Sequence, residues 1–548
     1  MKLFKQDRVF MSHWLKLKPY SNPNLQYDNF YLNLCNEVYE ILKGEEDFFE
    51  DKEMEREQIK QLACVIISYY EDFISEIGIW NAFTEHNKNT IGEYLPFYSS
   101  ENYEKEYINW QDIAYLIWHY VTKWYDERIH SADYRPFVES GKEIFELLEE
   151  YIDESPASSH YEKLLTIKPN SDFFDFKTTL NWFSTEAYTM GIEFGNNINN
   201  QLENLSIKEK LTSNFGVMIY QFKEDFLYRK RSSFGALNGC EWLAMVCRCS
   251  EDKKQEIREL SERHYKHFVY EGLDSKDFLK FRHYVTEREY LVFKDSFQKS
   301  VSKIKQGNIC EMYLVKWDKK WWLSGALMAY PEDSSNRNLK EVKIKQIENQ
   351  WILDEKELAV NRQTAINLEK AFIQLYGSRL KLCSSVEELQ SVLTDISRQN
   401  AKNKGTLNEF IDKENERSIS VEKTITASLK KEFGNNTDLG IFFLKEQGTQ
   451  MMVGPKETID ALKAKNLSVE ESVELFISLS NGYAPQVAQY FLENYPTQNV
   501  KTPGSSQINA LKNMPYFWRF NSASEYDKAY PLYTTVNDDQ IEEMKELH

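Results

Sequence analysis

The 548-residue sequence lacks the motifs by which most nucleotide-binding and hydrolytic enzymes are recognised. It contains no GxxxxGK[ST] phosphate loop, no GxGxxG dinucleotide turn and no GxSxG nucleophile elbow. No run approaches the ~18 uncharged apolar residues that a membrane-spanning helix needs, and the first residues do not form a secretory signal. The seven cysteines are too few and too irregularly spaced for a disulfide framework. These absences predict a cytoplasmic protein that does not associate with membranes.

Basic side chains are also fewer than acidic ones, and most of the difference lies in the first 165 residues. The chain has 86 Asp and Glu against 67 Lys and Arg, a net charge of −19. Residues 1–165 hold 32 acidic and 16 basic side chains, a net charge of −16, so the rest of the chain carries only −3. A strongly negative surface repels the phosphate backbone, which disfavours nucleic-acid binding by this N-terminal third. We expect the third to present an acidic face to its partner.

Apolar residues recur at three- and four-residue intervals through the first half of the chain, which is typical of amphipathic helices. In the acidic third the spacing predicts helices over about 27–42, 55–77, 111–125 and 141–151. Further helices are predicted between 170 and 270, the last of them over about 256–268. The first half of the chain is therefore expected to be helical.

After about residue 270 the spacing of apolar residues changes to the alternation typical of β-strands, and the segments become rich in branched and aromatic residues. Five strands are predicted, over 278–286, 289–293, 309–317, 320–330 and 341–347, and a hairpin over 440–453. The fold class is therefore α+β: a mostly helical multidomain protein with a small five-stranded antiparallel barrel or curved sheet near 278–350. The predicted regions are an acidic helical region (1–165), a helical middle (166–270), the barrel-like region (271–355) and a mixed C-terminal region (356–548).

Two sets of residues are candidates for metal chemistry. Thiolate and imidazole ligands suit zinc, and five such side chains lie close in sequence: Cys240, Cys247, Cys249, His264 and His267. Their spacing matches no paired CxxC pattern, and Cys247 and Cys249 would point apart on a helix. A nucleophilic Cys–His pair stays open, because such pairs are assembled in space rather than in sequence.

A divalent-metal nuclease is the second possibility for catalysis. Such enzymes hold the ion with an Asp and a Glu-x-Lys at a sheet edge, and Asp333 with Glu341 and Lys343 imitates that pattern. The same pattern arises by chance on amphipathic strands. The sequence thus predicts no cofactor, keeps zinc or another divalent metal as an alternative, and leaves open whether the protein is an enzyme.

Two segments are candidates for binding. Arg229, Lys230 and Arg231 form the clearest basic loop, and small barrels with basic loops bind nucleic acid. Near the C-terminus an aromatic cluster contains Tyr516, Phe517 and Trp518. Aromatic side chains serve as anchors at protein interfaces, although most of them are core residues.

Several segments together resemble a known family. They include HWLKLKPY, YDNFYLNLCNEVYEIL, GIWNAFTEHN, INWQDIAYLIWHY, FRHYVTEREYLVFKDSF, EMYLVKWDKKWWLSG and DLGIFFLKEQGTQM. They are similar to an uncharacterised bacterial family of unknown function, the one numbered thirty-eight forty-three, along most of the chain. The resemblance implies a bacterial cytoplasmic protein and brings no activity and no functional residue.

The sequence favours a cytoplasmic binding protein without catalysis of its own, whose acidic third masks a basic surface on a partner protein. A metal-dependent hydrolase or nuclease is the first alternative. A nucleic-acid-binding protein that acts through the barrel and the basic loop is the second.

Overall fold

A computed structural model describes 7–44, 55–98, 103–124, 132–169, 171–206, 210, 215–262, 264–284, 287–331, 355–416, 427, 429–444, 448–500, 510–521 and 523–526. The chain forms two compact units. The first contains Met1–Arg282, Glu289–Pro331 and Thr502–Ser524, and most of the second lies in Glu332–Lys501. The predicted boundaries at 165 and 270 fall inside the first unit.

Helices build most of the first unit. They are α1 (Met11–Trp14), α2 (Leu25–Gly44), α3 (Arg56–Ile74), α4 (Ile79–Ile91), α5 (Trp110–Trp124), α6 (Arg135–Glu150), α7 (Ser159–Leu165), α8 (Phe173–Glu186), α9 (Gly191–Asn204), α10 (Phe215–Arg229), α11 (Gly239–Val246) and α12 (Glu251–Glu259). The four helices predicted in the acidic third are thus confirmed, as α2, α3, α5 and α6. Within the described residues, no helix is long and apolar enough to cross a membrane.

A closed five-stranded barrel follows the helices in the same unit. Its strands are β1 (His264–Leu273), β2 (Phe278–His283), β3 (Glu289–Phe293), β4 (Ile309–Trp317) and β5 (Lys320–Tyr330), in the order β1-β2-β3-β5-β4. The alternate burial of β2 turns Leu279 and Phe281 inward, where they meet Phe268, Val292 and Met312. The interior is therefore a packed apolar core.

The barrel differs from the prediction in two respects. The helix expected over 256–268 ends at Glu259, and β1 begins at His264 and pairs antiparallel with β4. The segment HYKHFVYEGL is rich in aromatic and branched residues, and its strand pairing overrides the helical spacing. In addition, β3 pairs parallel with β5, so the barrel is mixed rather than antiparallel throughout. The strand predicted over 341–347 lies outside the described residues.

The second unit combines helices with a three-stranded antiparallel sheet, β6-β7-β8. Its elements are α13 (Glu355–Tyr376), β6 (Leu380–Cys383), α14 (Val386–Lys404), α15 (Leu407–Glu416), β7 (Leu439–Leu444), β8 (Gly448–Val453), α16 (Pro455–Lys463), α17 (Val469–Ile477) and α18 (Pro485–Asn494). The strands β7 and β8 confirm the predicted hairpin. Leu389, Val392 and Ile396 of α14 pack against Ile441 and Phe443 of β7.

One more helix, α19 (Ala510–Asn521), returns to the first unit from the far end of the chain. The Tyr516 ring lies 5.3 Å from Phe97, and the Phe520 ring lies 5.1 Å from Trp118 on α5. The N–H of Phe97 donates to Asn513 Oδ1 at 3.3 Å. An element of the C-terminal region thus completes the core around α5.

Candidate functional site

The first candidate is a surface formed by α6 and its neighbours. The buried stripe of α6, with Phe137, Ile144 and Leu148, faces the core. A Cβ at Gly141 would stand 2.9 Å from the Ala114 Cβ, so only glycine lets α6 approach α5 so closely. This packing fixes the opposite side of α6 toward solvent.

Six exposed carboxylates cluster at the end of α6; we call this group the acidic face. Its members are Glu37, Glu104, Glu149, Glu150, Asp153 and Glu154. Two half-buried tyrosines report their proximity. The pKa of Tyr107 is raised by burial and then by Glu149, Glu104 and Asp153, and the pKa of Tyr151 is raised first by Glu37. The carboxylates therefore lie in two groups, one around each tyrosine, and the two groups adjoin along the chain at the end of α6.

The position of this patch opposes the helix dipole. Glu149 and Glu150 stand in the last turn of α6, which contains no basic residue, and Asp153 and Glu154 follow immediately. Negative charges are unfavourable at a helix C-terminus, where the dipole is itself negative. In the described part of the chain, no ion pair compensates any of the six carboxylates of the acidic face. The folded protein therefore retains charges that lower its own stability.

The second candidate is a buried loop that connects α10 to α11. Arg231 anchors it: the guanidinium makes a two-fold ion pair with Glu241 and donates to the Ala236 carbonyl at 2.6 Å. Gly235 and Ala236 both have positive φ, +72° and +57°. A Cβ at Gly235 would come within 2.7 Å of the His86 ring, whose Nε2 lies 3.0 Å from the Gly235 carbonyl. The loop is a tight turn with no room for a larger residue at 235.

This loop places Ser233 at the centre of a polar network inside the first unit. Ser233 Oγ lies 3.0 Å from His119 Nε2, and both the hydroxyl and the backbone N–H of Ser233 donate to Glu193. On the other side of the imidazole, Nδ1 lies 3.2 Å from the Tyr115 hydroxyl, which contacts the hydroxyl of Tyr516. We call these five residues the Ser233 network. It joins α19, α5, the loop and α9.

The network lies between the protein interior and the surface. Ser233 is 2% exposed and His119 is 1% exposed, with the Phe234 ring stacked 3.8 Å from the imidazole. Glu193 is only partly buried, so the network reaches solvent at α9. Burial, and then the Lys123 charge, hold the pKa of His119 well below its ordinary value. Burial raises the pKa of Glu193, although Lys123 and Ser233 oppose the rise.

Hydrogen-bond donation can run in one direction through the whole network when Glu193 is ionised. Its Oε1 then accepts from the N–H and the O–H of Ser233. The Ser233 oxygen accepts from the Nε2–H of His119, and Nδ1 accepts from the Tyr115 hydroxyl. His119 is therefore assigned the neutral tautomer that carries its proton on Nε2, because this assignment pairs every donor with an acceptor. Ser233 thus stands between a carboxylate and an imidazole N–H.

The structure describes the side chains of four of the five candidate zinc ligands. Cys240 is buried in α11, Cys247 is buried at its end, and Cys249 is partly exposed. His267 is buried in β1 with Nε2 3.8 Å from Glu311 Oε2, whereas the His264 side chain lies outside the described part. Over the residues that the structure describes, no three His, Cys, Asp or Glu side chains are grouped to hold a metal.

The nuclease candidates Asp333, Glu341 and Lys343 lie outside the described residues. In the basic loop, Arg229 ends α10 and Lys230 is exposed, while Arg231 is engaged with Glu241. The charge of Arg231 therefore holds the loop together rather than standing free in solvent.

The aromatic cluster near the C-terminus is part of the core. Tyr516, Phe517 and Trp518 are 0%, 2% and 6% exposed on α19. The rings of Tyr516 and Phe517 pack against Phe97 and Trp118. In this structure the aromatic rings fasten α19 to the first unit and leave little surface for a partner.

Comparison with known proteins gives one match. Residues 8–265 match the family described as "Protein of unknown function (DUF3843)". The resemblance seen in the sequence is thereby confirmed for these residues. The match contains α1–α12, the acidic face and every member of the Ser233 network except Tyr516, and it stops where the barrel begins. No curated protein and no solved structure matched the chain.

Sequence reasoning missed the Ser233 network because its members are far apart in the chain. His119 and Ser233 are 114 residues apart, and Tyr115 and Tyr516 are 401 apart. One local signal was present. In the segment INWQDIAYLIWHY the histidine follows a run of apolar and aromatic residues, and a buried histidine needs polar partners.

Proposed function

We propose that the protein is a bacterial, cytoplasmic binding protein that uses the acidic face to cover a basic surface on a partner protein. The observation that supports the proposal is the position of Glu149 and Glu150 in the last turn of α6, where their charges destabilise the helix. Residues that lower stability without compensation are typical of surfaces kept for function.

The chemistry of the face defines the partner. Carboxylates attract lysine and arginine side chains over roughly one Debye length, about 8 Å in physiological salt, so the attraction weakens as salt is added. The half-buried rings of Tyr107 and Tyr151 lie among the carboxylates and offer apolar area and hydroxyl groups at the centre of the patch. A partner that presents several lysines or arginines around an apolar centre fits this surface.

The test uses a fluorescent ten-lysine peptide as the probe. The face variant is E150K/E154K, and the matched control is E474K/E493K, which reverses two exposed carboxylates in α17 and α18. Both variants have the same net charge. We expect the face variant to bind the peptide about tenfold more weakly than the wild type, a loss of ~1.4 kcal/mol, and the control to bind within about twofold.

Equal weakening in the two variants would show that only net charge attracts the peptide, and the proposal would fail. Binding that does not saturate, or that is unchanged in 0.5 M salt, would contradict it as well. Thermal melting of each variant checks that the reversals leave the fold intact.

A further inference from the structure

Glu71, Glu224 and Glu193 of the first unit each contact a hydroxyl group, and they differ in their other polar partner. Glu71 pairs directly with Lys18, and Glu224 pairs with Lys177 at 2.8 Å. Glu193 instead contacts Ser233, whose other neighbour is an imidazole. A lysine ammonium lies against the carboxylates of Glu71 and Glu224, whereas Glu193 accepts the hydroxyl hydrogen of Ser233.

We propose that Ser233 is a nucleophile that attacks activated acyl groups such as carboxylic esters, with Glu193 as its base and His119 as the donor that holds Oγ. The hydroxyl is aligned on both sides, by the Glu193 carboxylate and by His119 Nε2 at 3.0 Å. Nucleophile, base and orienting group at hydrogen-bond distances form the arrangement that such catalysis requires.

The loop supports this role because its conformation is strained. Ala236 has φ +57°, a region that residues with a Cβ rarely adopt, and it lies three positions after Ser233. The ion pair of Arg231 with Glu241 and the capping box between Asn238 and Glu241 hold the turn from both ends. The strain is thus maintained by contacts that fix where Ser233 points.

The reaction balances with the groups present. Ser233 Oγ bonds to the acyl carbon while its proton passes to Glu193. The bond from that carbon to the leaving oxygen breaks, and the oxygen takes the proton from Glu193. Water then attacks the acyl-serine, its proton passes through Glu193 back to Oγ, and the free acid leaves. His119 donates its Nε2–H to Oγ throughout. Of the five network residues only Glu193 is partly exposed, so we infer that a substrate would have to approach from α9.

The chain contains its own control. Ser324 is 0% exposed, and its Oγ donates to Glu224 at 3.2 Å, so a second buried serine contacts a carboxylate. Its other hydroxyl neighbour is Tyr228 at 2.9 Å, and Glu224 is bound by Lys177. Ser324 therefore resembles Ser233 in its burial and its carboxylate contact, but its carboxylate is paired with a lysine. A reagent that recognises activated serines should distinguish the two.

The experiment treats the full chain with a fluorophosphonate, which forms a stable adduct with activated serines, and maps the adduct by peptide mass spectrometry. We expect labelling at Ser233 and none at Ser324. S233A should abolish the adduct, and S232A, which alters the neighbouring hydroxyl, should retain it. E193Q should slow labelling by at least about 100-fold, the usual contribution of a general base, whereas E224Q should leave the rate unchanged.

The pH profile separates a base from a merely structural group. In the wild type the labelling rate should rise as Glu193 loses its proton and then level off, and in E193Q it should be flat. No adduct on Ser233 in the wild type overturns the proposal, as does equal labelling of Ser233 and Ser324. Should E193Q fail to fold, the comparison of the two serines and the wild-type pH profile still decide. The acidic face shares no residue with this network, so either proposal can fail alone.

Discussion

The Glu71 network and the Ser233 network, both in the first unit, accommodate a carboxylate in different ways. Around Glu71, the Lys18 ammonium pairs with the carboxylate and lies 3.4 Å from the Trp14 ring, and the hydroxyls of Tyr27 and Tyr161 complete the shell. The Lys18 ammonium thus neutralises the Glu71 carboxylate by direct contact. In the Ser233 network, a hydroxyl and an imidazole separate the charged group from the tyrosines. The first arrangement is suited to holding segments together and the second to moving a proton.

The segments joined by the two networks reinforce the contrast. The Glu71 network ties α1, α2, α3 and α7, all from the first 165 residues. The Ser233 network joins elements from 115 to 516. The first network requires only that the N-terminal helices pack together. The second network is complete only when the end of the chain has docked through α19.

The largest effect on stability is expected when the ion pair between Lys18 and Glu71 is broken. Lys18→Met leaves the Glu71 carboxylate buried without its cation, and breaking a buried pair in this way costs about 3–5 kcal/mol of unfolding free energy. Urea unfolding of the intact protein measures it. The double variant K18M/E71Q keeps acceptors for both tyrosines and should recover most of the loss. Additive losses in the double variant would mean that the pair is not coupled.

The next effect concerns a buried carboxylate that has hydroxyl partners in place of a lysine. Asp112, on α5 with His119, accepts from Tyr69 at 2.6 Å and from Tyr103 at 2.9 Å, and burial raises its pKa to about 6. The folded state therefore binds a proton that the unfolded state, with a pKa near 3.8, has released. Stability should fall by about 3 kcal/mol as pH rises from about 4 to 6 and stay low above that range.

This fall is measured as the difference between the wild type and D112N across that range. Subtraction matters because His119, whose pKa is lowered, acts in the opposite direction: it is neutral in the fold and gains a proton on unfolding as pH falls below about 6.5. Asn cannot titrate, so D112N should lack the Asp112 contribution even though it loses a hydrogen bond at every pH. Parallel profiles for the two proteins would refute the assignment.

The third prediction tests the backbone strain in the Ser233 loop. Gly235→Ala forces a Cβ into the left-handed region and against the His86 ring, and should cost about 2 kcal/mol or more. Ala236→Gly relieves strain at the next position and should stabilise the fold by up to about 1 kcal/mol. Urea unfolding compares the two. Effects of the same sign would show that the turn is not strained as described.

The extent to which the sequence predicts these features depends on how local they are. Helices α2, α3, α5 and α6 can be predicted because each shows a repeat of apolar residues within one segment. The hairpin of β7 and β8 can be predicted because two short apolar segments are separated by a turn. The strand β1 was missed because its identity depends on pairing with β4, about forty residues away. The ion pair of Arg231 with Glu241 could not be read from the sequence for the same reason, since it forms only after the loop has folded.

The acidic face was the easiest of these features to predict from the sequence, and the Ser233 network was the hardest. Charge counting predicted an acidic surface in the first 165 residues, because exposed charges retain in the fold the sign they have in the sequence. No counting could assemble Tyr516, His119, Ser233 and Glu193, because each belongs to a different segment and only tertiary packing brings them together.

The smallest expected effect concerns the acidic face, whose cost to stability is spread over exposed charges. Glu150→Lys places a cation in the last turn of α6, where it interacts favourably with the helix dipole, and should raise the unfolding free energy by about 0.5 kcal/mol. The matched change Glu387→Lys, in the first turn of α14, should instead lower it, because a cation there opposes the dipole and the ion pair with Lys430 is lost. Thermal unfolding in low salt measures both. A destabilised E150K would mean that Glu150 is held by favourable contacts within the protein, and the argument that the acidic face is kept for a partner would lose its basis.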